Sequence, residues 1–424
     1  MEQHDHHTPS EREHLTLQPT APAERMSLVD ILRGVAVFGI LVVNMGSFKA
    51  STVPYMPTRS SSWLDRWTDA LINFLFEGKF YPIFAFLFGW GVAWQMERLQ
   101  ARGANPVSLM VRRLMVLLFI GLAHAILVWS GDILFFYALG GMVLLLFRRL
   151  QPRALLALAL SVWGIQVFCC GVPIGLFLAM QGVPEAAAGM QQANEQFASA
   201  MQQMISQAEQ VYSQGSYLEA LRHRVKEWFQ TLFWAYLALL PNALSMFWLG
   251  MYAAKGRLLE NVASLSARWR VVTAVCLVVG AVVNVFYARQ LLLAPPQLEL
   301  APFLGAFWLY LLGGPLLGVG YVLALSLWLG DEGRRVRFGW LAAVGRMALT
   351  NYLLQSVVCT LLFYHYGLGL YGKVGVAAGL ALSCVLFAAQ AVFSVWWLRR
   401  YRFGPAEWLW RTLTYGQRQP MRVG

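Results

Sequence analysis

Charged residues are scarce in this chain. Asp, Glu, Lys and Arg make up 13% of its 424 residues, against about 25% in ordinary soluble domains. It has five cysteines and no Cys-x-x-Cys pair, which argues against a redox motif or a cysteine metal site. A phosphate-binding Gly-rich loop, a zinc-ligand spacing and a Ser-His-Asp order are also missing. The sequence therefore predicts no metal site and none of the common soluble enzyme motifs.

Apolar sequence dominates what is present. The chain is 58% hydrophobic, with a mean hydropathy of +0.53. Its apolar runs are long enough to span a bilayer, and they predict an all-α polytopic membrane protein with about ten transmembrane helices. The predicted helices cover residues 28–48, 80–96, 114–130, 132–147, 154–181, 229–253, 269–293, 302–329, 338–363 and 374–398.

The polar segments divide the chain into regions. Residues 1–26 form a polar tail that we expect to be disordered and cytoplasmic. The long loop at residues 182–228 is rich in Gln and Met, with apolar side chains at helical spacing, and predicts an outer amphipathic helix. That helix either lies on the outer leaflet or caps the bundle, or it covers an outward-facing site as a lid. The transmembrane regions are then residues 27–181 and 229–424.

The last stretch of the chain, RFGPAEWLWRTLTY, predicts a C-terminal interfacial helix. Its Gly-Pro start is typical of a helix N-terminus, and Glu407 and Arg411 are spaced to pair on one face. Orientation follows from the loops. Alternate loops hold about three times as many Lys and Arg residues as the others, which predicts that both termini are cytoplasmic. The net charge of +12 is spread over these loops, so no nucleic-acid partner is expected.

The first apolar run carries three polar residues, Asp30, Arg33 and Asn44. Such side chains are costly within a membrane span and normally face protein or water. Arg33 and Asn44 are eleven positions apart, which on an α-helix brings them to within about 20° of each other and about 16 Å apart along the axis. This helix is predicted to line a polar site inside the membrane.

The third apolar run repeats that spacing with Arg113 and His124. Both helices cross the membrane in the same direction, so the two arginines are expected at one depth, and His124 at the depth of Asn44. A structural histidine bonded to a neighbouring helix is the alternative for His124. Asp132, at the next turn, either caps the fourth helix or orients His124.

Two further polar groups stand out. Glu77 and Lys79 precede the second helix, in a segment interpreted as re-entrant or interfacial, and form either a surface pair or part of a polar pathway. The ninth helix carries Arg346, Asn351 and Gln355 on one face. This stripe is either hydrogen-bonding between helices or a second part of the pathway.

Five blocks of the chain resemble, in order, those of the YeiB-like family of bacterial inner-membrane proteins. They are SLVDILRGVAVFGILVVN, FEGKFYPIFAFLFGWG, RRLMVLLFIGLAHAILVWSGDILFFYALGG, GRMALTNYLLQS and FGPAEWLWRTLTY. The resemblance covers nearly the whole chain except about residues 182–300. It implies a multi-pass protein of the bacterial inner (plasma) membrane, and residues 229–424 as its YeiB-like region.

The first helix is also similar to that of transmembrane acyltransferases, including the heparan-α-glucosaminide N-acetyltransferase group. Those enzymes transfer an acyl group from cytoplasmic acyl-coenzyme A to a hydroxyl or amine across the membrane. In one branch an Arg is followed eleven positions later by a catalytic His; in the glucosaminide branch Asn takes that place, as Asn44 does after Arg33. That branch also uses a His in the following loop, but residues 49–70 contain none. A general base would then have to be His124.

These features predict a membrane acyltransferase-like protein with acyl-coenzyme A as co-substrate. The anionic phosphates of the donor would approach Arg33, Arg113 and Arg346, because guanidinium groups pair well with phosphate oxygens. The expected partners are the lipid bilayer and a glycan, lipid or small-molecule acceptor; a homodimer is left open.

Three residues of the first half are assigned to the chemistry. His124 would take a proton from the acceptor, Asp132 would orient it, and Asn44 would donate a hydrogen bond to the developing oxyanion. The alternative function is a transporter or exporter of a small anionic or acylated metabolite, in which the same polar residues line a pathway.

Overall fold

The computed structural model describes residues 26–51, 62–101, 103, 105–180, 183–260, 267–294 and 298–423. The predicted tail thus lies outside the described residues except for Met26. In the described part, eight helical segments are long and apolar enough to cross a membrane, and two shorter apolar helices accompany them. The prediction of an all-α polytopic membrane protein is confirmed.

The helices follow the predicted runs closely. In chain order they are α1 Ser27–Lys49, α2 Trp63–Leu75, α3 Phe80–Ala101, α4 Pro106–Leu127, α5 Leu134–Leu146, α6 Pro152–Met180, α7 Ala187–Gln214, α8 Tyr217–Glu227, α9 Phe233–Lys255, α10 Ala267–Leu293, α11 Leu300–Trp328, α12 Glu332–Arg337, α13 Gly339–Arg346, α14 Ala348–Phe363, α15 Val376–Leu398 and α16 Pro405–Tyr415.

Helix α4 begins earlier than its apolar run predicts. The Asn105 side chain accepts a hydrogen bond from the backbone N–H of Val107 at 3.1 Å, and Pro106 occupies the first turn. This is the usual chemistry of a helix start. As a result Arg113 lies about two turns inside the helix, rather than at its entrance.

The single helix predicted for residues 338–363 is wrong, because the chain breaks at Met347 into α13 and α14. A carboxylate from far along the chain stabilises the break. The Glu407 side chain of α16 accepts hydrogen bonds from the backbone N–H groups of Leu349 (2.7 Å) and Thr350 (3.0 Å), and also contacts the Thr350 hydroxyl. Glu407 therefore caps α14 instead of serving mainly as the predicted helix-surface partner of Arg411.

The segment before α3 is a separate helix. Along α2, Trp63 and Trp67 are 73% and 60% exposed, as expected for aromatic side chains at a membrane interface. The chain then turns through Gly78, whose φ of +81° lies in the left-handed region that favours glycine.

The long loop forms two helices that contact the ends of the membrane helices. Ile205, Ala208 and Tyr212 of α7 are buried, so the predicted amphipathic helix is present and rests on the bundle. In α8, Arg224 is fully buried. Its guanidinium donates hydrogen bonds to the carbonyls of Ile126, Leu127 and Val128 at 3.0–3.1 Å, and so caps the C-terminal end of α4.

Helix α1 lies at the centre of the bundle, buried along most of its length. It packs against α13 at backbone contact: a Cβ added at Gly34 would lie 2.2 Å from the Leu341 oxygen, and one at Gly345 would lie 1.9 Å from the Asp30 oxygen. Small residues permit this close approach. The contact brings the start of α1 beside the end of α13, where Arg346 lies.

Candidate functional site

The helix bundle contains a cavity of about 220 Å³ at the ends of α1, α4, α13 and α16, which we call the arginine cavity. The three arginines predicted to bind the donor, Arg33, Arg113 and Arg346, all line it. A fourth, Arg411 of α16, lines it too. Aromatic side chains of α3, among them Trp90 and Trp94, form much of the remaining wall.

Aromatic rings and one carboxylate hold the guanidinium groups in place. Arg33 Nη1 lies 3.0 Å from Asp30 Oδ1, one turn earlier on α1. The Arg113 guanidinium lies 3.8 Å from the centroid of the Trp410 ring, and Trp410 Nε1 donates a hydrogen bond to the Arg113 carbonyl at 2.9 Å. Stacking on an aromatic face orients a guanidinium while leaving its charge available.

Positive charge exceeds negative charge in this cavity. Four of its lining residues are arginines, and two, Asp30 and Glu407, are acidic. The Glu407 carboxyl is already engaged in capping α14, and within the described part of the chain Arg346 Nε is buried with no hydrogen-bond partner. All four arginines are half-buried, and a partly desolvated surplus of guanidinium groups favours an anionic ligand.

Burial shifts the pKa values of the two ionisable side chains that α16 contributes to the arginine cavity. It raises the pKa of the Glu407 carboxyl, while hydrogen bonds from Thr350 and Leu349 act in the opposite direction. It lowers the pKa of the Arg411 guanidinium. Both shifts have the sign that desolvation of a charged group produces.

A second cavity of about 140 Å³, the outer cavity, lies further along α1. Asn44 and Glu77 line it. Because Arg33 lines the first cavity and Asn44 the second, one face of α1 serves both, as the eleven-residue spacing predicts. The two cavities share four lining residues, Ile40, Ile133, Tyr137 and Tyr352. These four residues, the shared wall, separate the cavities.

His124 and Asp132 form a buried pair beside the shared wall. His124 Nδ1 lies 2.7 Å from Asp132 Oδ2, and Asp132 Oδ1 accepts a hydrogen bond from the Phe135 N–H at 3.0 Å. Asp132 therefore does both things that the sequence left open: it caps α5 and orients His124. His124 Nε2 is buried and has no hydrogen-bond partner among the residues that the structure describes, and its ring centroid lies 5.4 Å from that of Tyr352. An ionised Asp132 requires the proton on Nδ1, which leaves the Nε2 lone pair free.

Other predicted site residues lie outside both cavities. Asn351 donates to Ser394 Oγ at 3.0 Å, and Gln355 donates to Gln390 Oε1 at 2.9 Å, which joins α14 to α15. Lys79 is fully buried and donates to the Asn73 carbonyl at 2.6 Å. The surface pair considered for Glu77 and Lys79 is therefore wrong. Of the proposed pathway residues, Asp30 and Glu77 line cavities, whereas Lys79, Asn351 and Gln355 stabilise helix contacts.

The chain has close relatives among known proteins. It is 37% identical to the uncharacterized protein YxaH of Bacillus subtilis (strain 168), over 96% of this chain and 98% of that protein. It is 31% identical to the uncharacterized protein YeiB of Escherichia coli (strain K12), over 92% of this chain and 96% of that one. This chain belongs to the YeiB-like family. A family model described as a protein of unknown function (DUF418) matches residues 253–417.

The DUF418 segment supplies only part of the arginine cavity of this YeiB-like chain. Arg346 and Arg411 lie within it, whereas Arg33, Arg113 and His124 precede it. The cavity is thus completed by packing α1, α3 and α4 against the family's C-terminal helices.

Sequence reasoning missed Arg411, Tyr137 and Tyr352. The sequence places Arg411 on an interfacial helix. It lines the arginine cavity because α16 packs against α4 and α14. The two tyrosines lie on apolar helices, and the sequence does not distinguish a tyrosine that lines a cavity from one that packs in the core. The one available signal was that a buried Tyr hydroxyl needs a partner. Tyr137 donates to the Tyr81 carbonyl at 2.6 Å, and Tyr352 accepts from the Ile133 N–H at 3.4 Å.

Two neighbouring glycines of α3 provide a matched test of this geometry. The motif LFGWGVAW predicts close helix packing for both. A Cβ at Gly89 would indeed lie 2.1 Å from the Phe247 carbonyl oxygen, but one at Gly91 would meet only Arg33 Nη2, at 3.2 Å. We expect Gly89→Ala to lower the Tm of the purified protein strongly, by overpacking that costs about 1–3 kcal/mol or more.

Gly91→Ala should leave the Tm nearly unchanged, because the end of an arginine side chain can move by a few tenths of an ångström. Thermal unfolding of both variants in the same detergent measures the difference. Equal losses would contradict the assignment of Gly91 to the cavity rather than to helix packing.

Proposed function

We propose that this YeiB-like protein is a membrane acyltransferase. It transfers an acyl group from cytoplasmic acyl-coenzyme A to a hydroxyl or amine of a glycan, lipid or small molecule. The surplus of guanidinium groups in a cavity that shares a wall with a second cavity, one lined by Asn44 and Glu77, is the observation that carries this proposal. An anionic donor and a separate acceptor each have a place in that arrangement.

The donor enters the arginine cavity from the cytoplasm of a bacterium whose inner membrane holds the protein. The excess of Lys and Arg in alternate loops supports this orientation, with both termini cytoplasmic. A volume of about 220 Å³ is smaller than usual for a complete drug-sized ligand. The cavity thus suits the acyl-thioester end of the donor, with Arg33, Arg113 and Arg346, joined by Arg411, attracting its anionic part.

His124 is the proposed general base. The acceptor O–H or N–H loses its proton to Nε2 as its heteroatom forms a bond to the thioester carbonyl carbon. The C–S bond then breaks, and the proton passes to the departing thiolate. For this step the thioester carbonyl reaches past the shared wall to the second cavity, where Asn44 Nδ2 donates a hydrogen bond to the carbonyl oxygen as it gains negative charge. Transfer requires Tyr352 to move, since that side chain lies between His124 and the cavities.

Binding of acetyl- and longer acyl-coenzyme A to the detergent-solubilised protein tests the donor site. We expect saturable binding that weakens at least tenfold in Arg33→Ala, because a hydrogen bond to a charged group contributes about 1.5–3 kcal/mol. Arg149→Ala is the matched control, since Arg149 is an exposed arginine outside the cavity. Absence of binding by the wild-type protein to every acyl-coenzyme A tested would overturn the proposal.

The shared wall favours one other function. Two cavities that each carry a few polar side chains and are separated by four residues also suit alternating access, in which a small anionic or acylated metabolite passes from one to the other. In that case Arg33→Ala would abolish uptake of a radiolabelled organic anion into vesicles, and no acyl group would leave acyl-coenzyme A. Acyl transfer with no uptake would support the enzyme instead.

A further inference from the structure

A third cavity lies on the side of the bundle away from the arginine cavity. It is the largest of the three, at about 330 Å³, and it is enclosed by α3, α6, α9, α10 and α11. None of its lining residues is charged. The indole N–H of Trp163, one of the few polar atoms in the lining residues, donates to the Leu311 carbonyl at 3.0 Å. We call it the apolar cavity.

The apolar cavity faces the bilayer. Leu160 of α6 and Val272 of α10 line it, yet they are 53% and 40% exposed on the outside of the bundle. Helices α6 and α10 are also the least buried of the candidate membrane spans, and each packs against α11. The cavity thus opens between these two helices, at a surface that hydrocarbon covers in a membrane protein.

One end of the cavity is basic. Leu258 and Trp269 line that end, and Arg268 and Arg270 flank Trp269 at the start of α10. Both arginines are exposed. A nearby exposed arginine, Arg257, is paired with Glu97 at 3.3 Å. Basic side chains at the end of a membrane helix attract anionic lipid headgroups.

We propose that the apolar cavity binds an acyl chain of an anionic glycerophospholipid whose headgroup phosphate contacts Arg268 and Arg270. An apolar cavity of this kind excludes water, since water would find no polar partners there. Left empty, its lining side chains would lose dispersion contacts on one side. Hydrocarbon from the adjoining bilayer fills the space without desolvating any polar group. The site is separate from the arginine cavity and does not depend on the proposed function.

Native mass spectrometry of the purified protein tests this site with two probes, dioleoylphosphatidylglycerol and dioleoylphosphatidylcholine. The wild-type protein is expected to bind one phosphatidylglycerol at least tenfold more tightly than phosphatidylcholine. Cys276→Trp places a large side chain in the cavity and should weaken that binding at least tenfold. Val275→Trp is the matched control, because Val275 precedes it on α10 and is exposed on the outer surface.

A second variant does not depend on how well the core tolerates tryptophan. Arg268→Ala combined with Arg270→Ala changes only exposed side chains, and it should reduce the preference for phosphatidylglycerol to near that for phosphatidylcholine. Equal binding of both lipids by the wild-type protein would overturn the headgroup assignment. Unchanged binding in a folded Cys276→Trp protein would overturn the placement of the acyl chain.

Discussion

Replacing His124 with Gln is expected to lower acyl transfer by about 10²- to 10⁴-fold, the usual contribution of a general base. Gln retains a polar side chain that can reach Asp132, but it cannot take a proton. The loss should therefore appear in turnover rather than in the apparent affinity for acyl-coenzyme A. Asp132→Asn should cause a comparably large loss, because an Asn that caps α5 through its oxygen presents its NH2 to Nδ1, and the imidazole proton then lies on Nε2.

The measurement uses native membranes that contain each variant, so that they supply the acceptor. Radiolabelled acetyl-coenzyme A is added, and label is followed into the lipid and glycan fractions. His365→Gln is the matched control, because His365 is an exposed histidine in the loop after α14. Unchanged incorporation of label by a folded His124→Gln protein would remove His124 from the mechanism.

Replacing Arg224 with Ala is expected to destabilise the protein by at least about 3 kcal/mol, because each hydrogen bond to a charged group contributes about 1.5–3 kcal/mol. Its guanidinium donates to three successive carbonyls at the end of α4. Without it, the carbonyls of Ile126 and Val128 lose this donor, while that of Leu127 keeps the Tyr217 hydroxyl at 2.8 Å, and a space opens beside the turn that carries Asp132. Lys at this position would keep the charge but lacks the guanidinium geometry that serves three acceptors together.

Thermal unfolding in detergent compares Arg224→Ala and Arg224→Lys with Arg222→Ala. Arg222 lies on the same helix and is exposed, so its loss should change stability by no more than about 0.5 kcal/mol. Equal Tm values for Arg222→Ala and Arg224→Ala would show that the contact between α8 and the end of α4 does not stabilise the protein. A lower Tm for Arg224→Ala alone would identify α8 as part of the His124 scaffold.

The contacts around α8 show that the long loop between α6 and α9 stabilises the turn between α4 and α5. Ser130 Oγ donates to Glu227 Oε2 at 2.8 Å, and the Tyr212 hydroxyl donates to the same oxygen at 3.2 Å. Together with Arg224, Glu227 thus holds the turn between α4 and α5 from the outside. The sequence left open whether this loop caps the bundle or covers a site, and the contacts establish the cap.

The polar residues of the membrane helices were harder to assign from sequence. An Asn or Gln in a span is compatible with a cavity or with a neighbouring helix, and the residue type does not distinguish them. Asn44 lies at a cavity, whereas Asn351 and Gln355 bond across to α15. The hydrogen-bond partners of Glu407 were equally hard to predict, because the N–H groups of Leu349 and Thr350 lie more than fifty positions earlier in the chain.

The sequence alone determined the class of protein, the positions of the helices and the shared face of Arg33 and Asn44. Long apolar runs and helical periodicity are local properties, so they can be read without knowing which helices touch. Only the tertiary structure decided which arginines meet, which carboxylate caps α14 and which side chains separate the two cavities. Each of these depends on contacts between helices distant in sequence, and at those contacts packing determines which polar groups find partners.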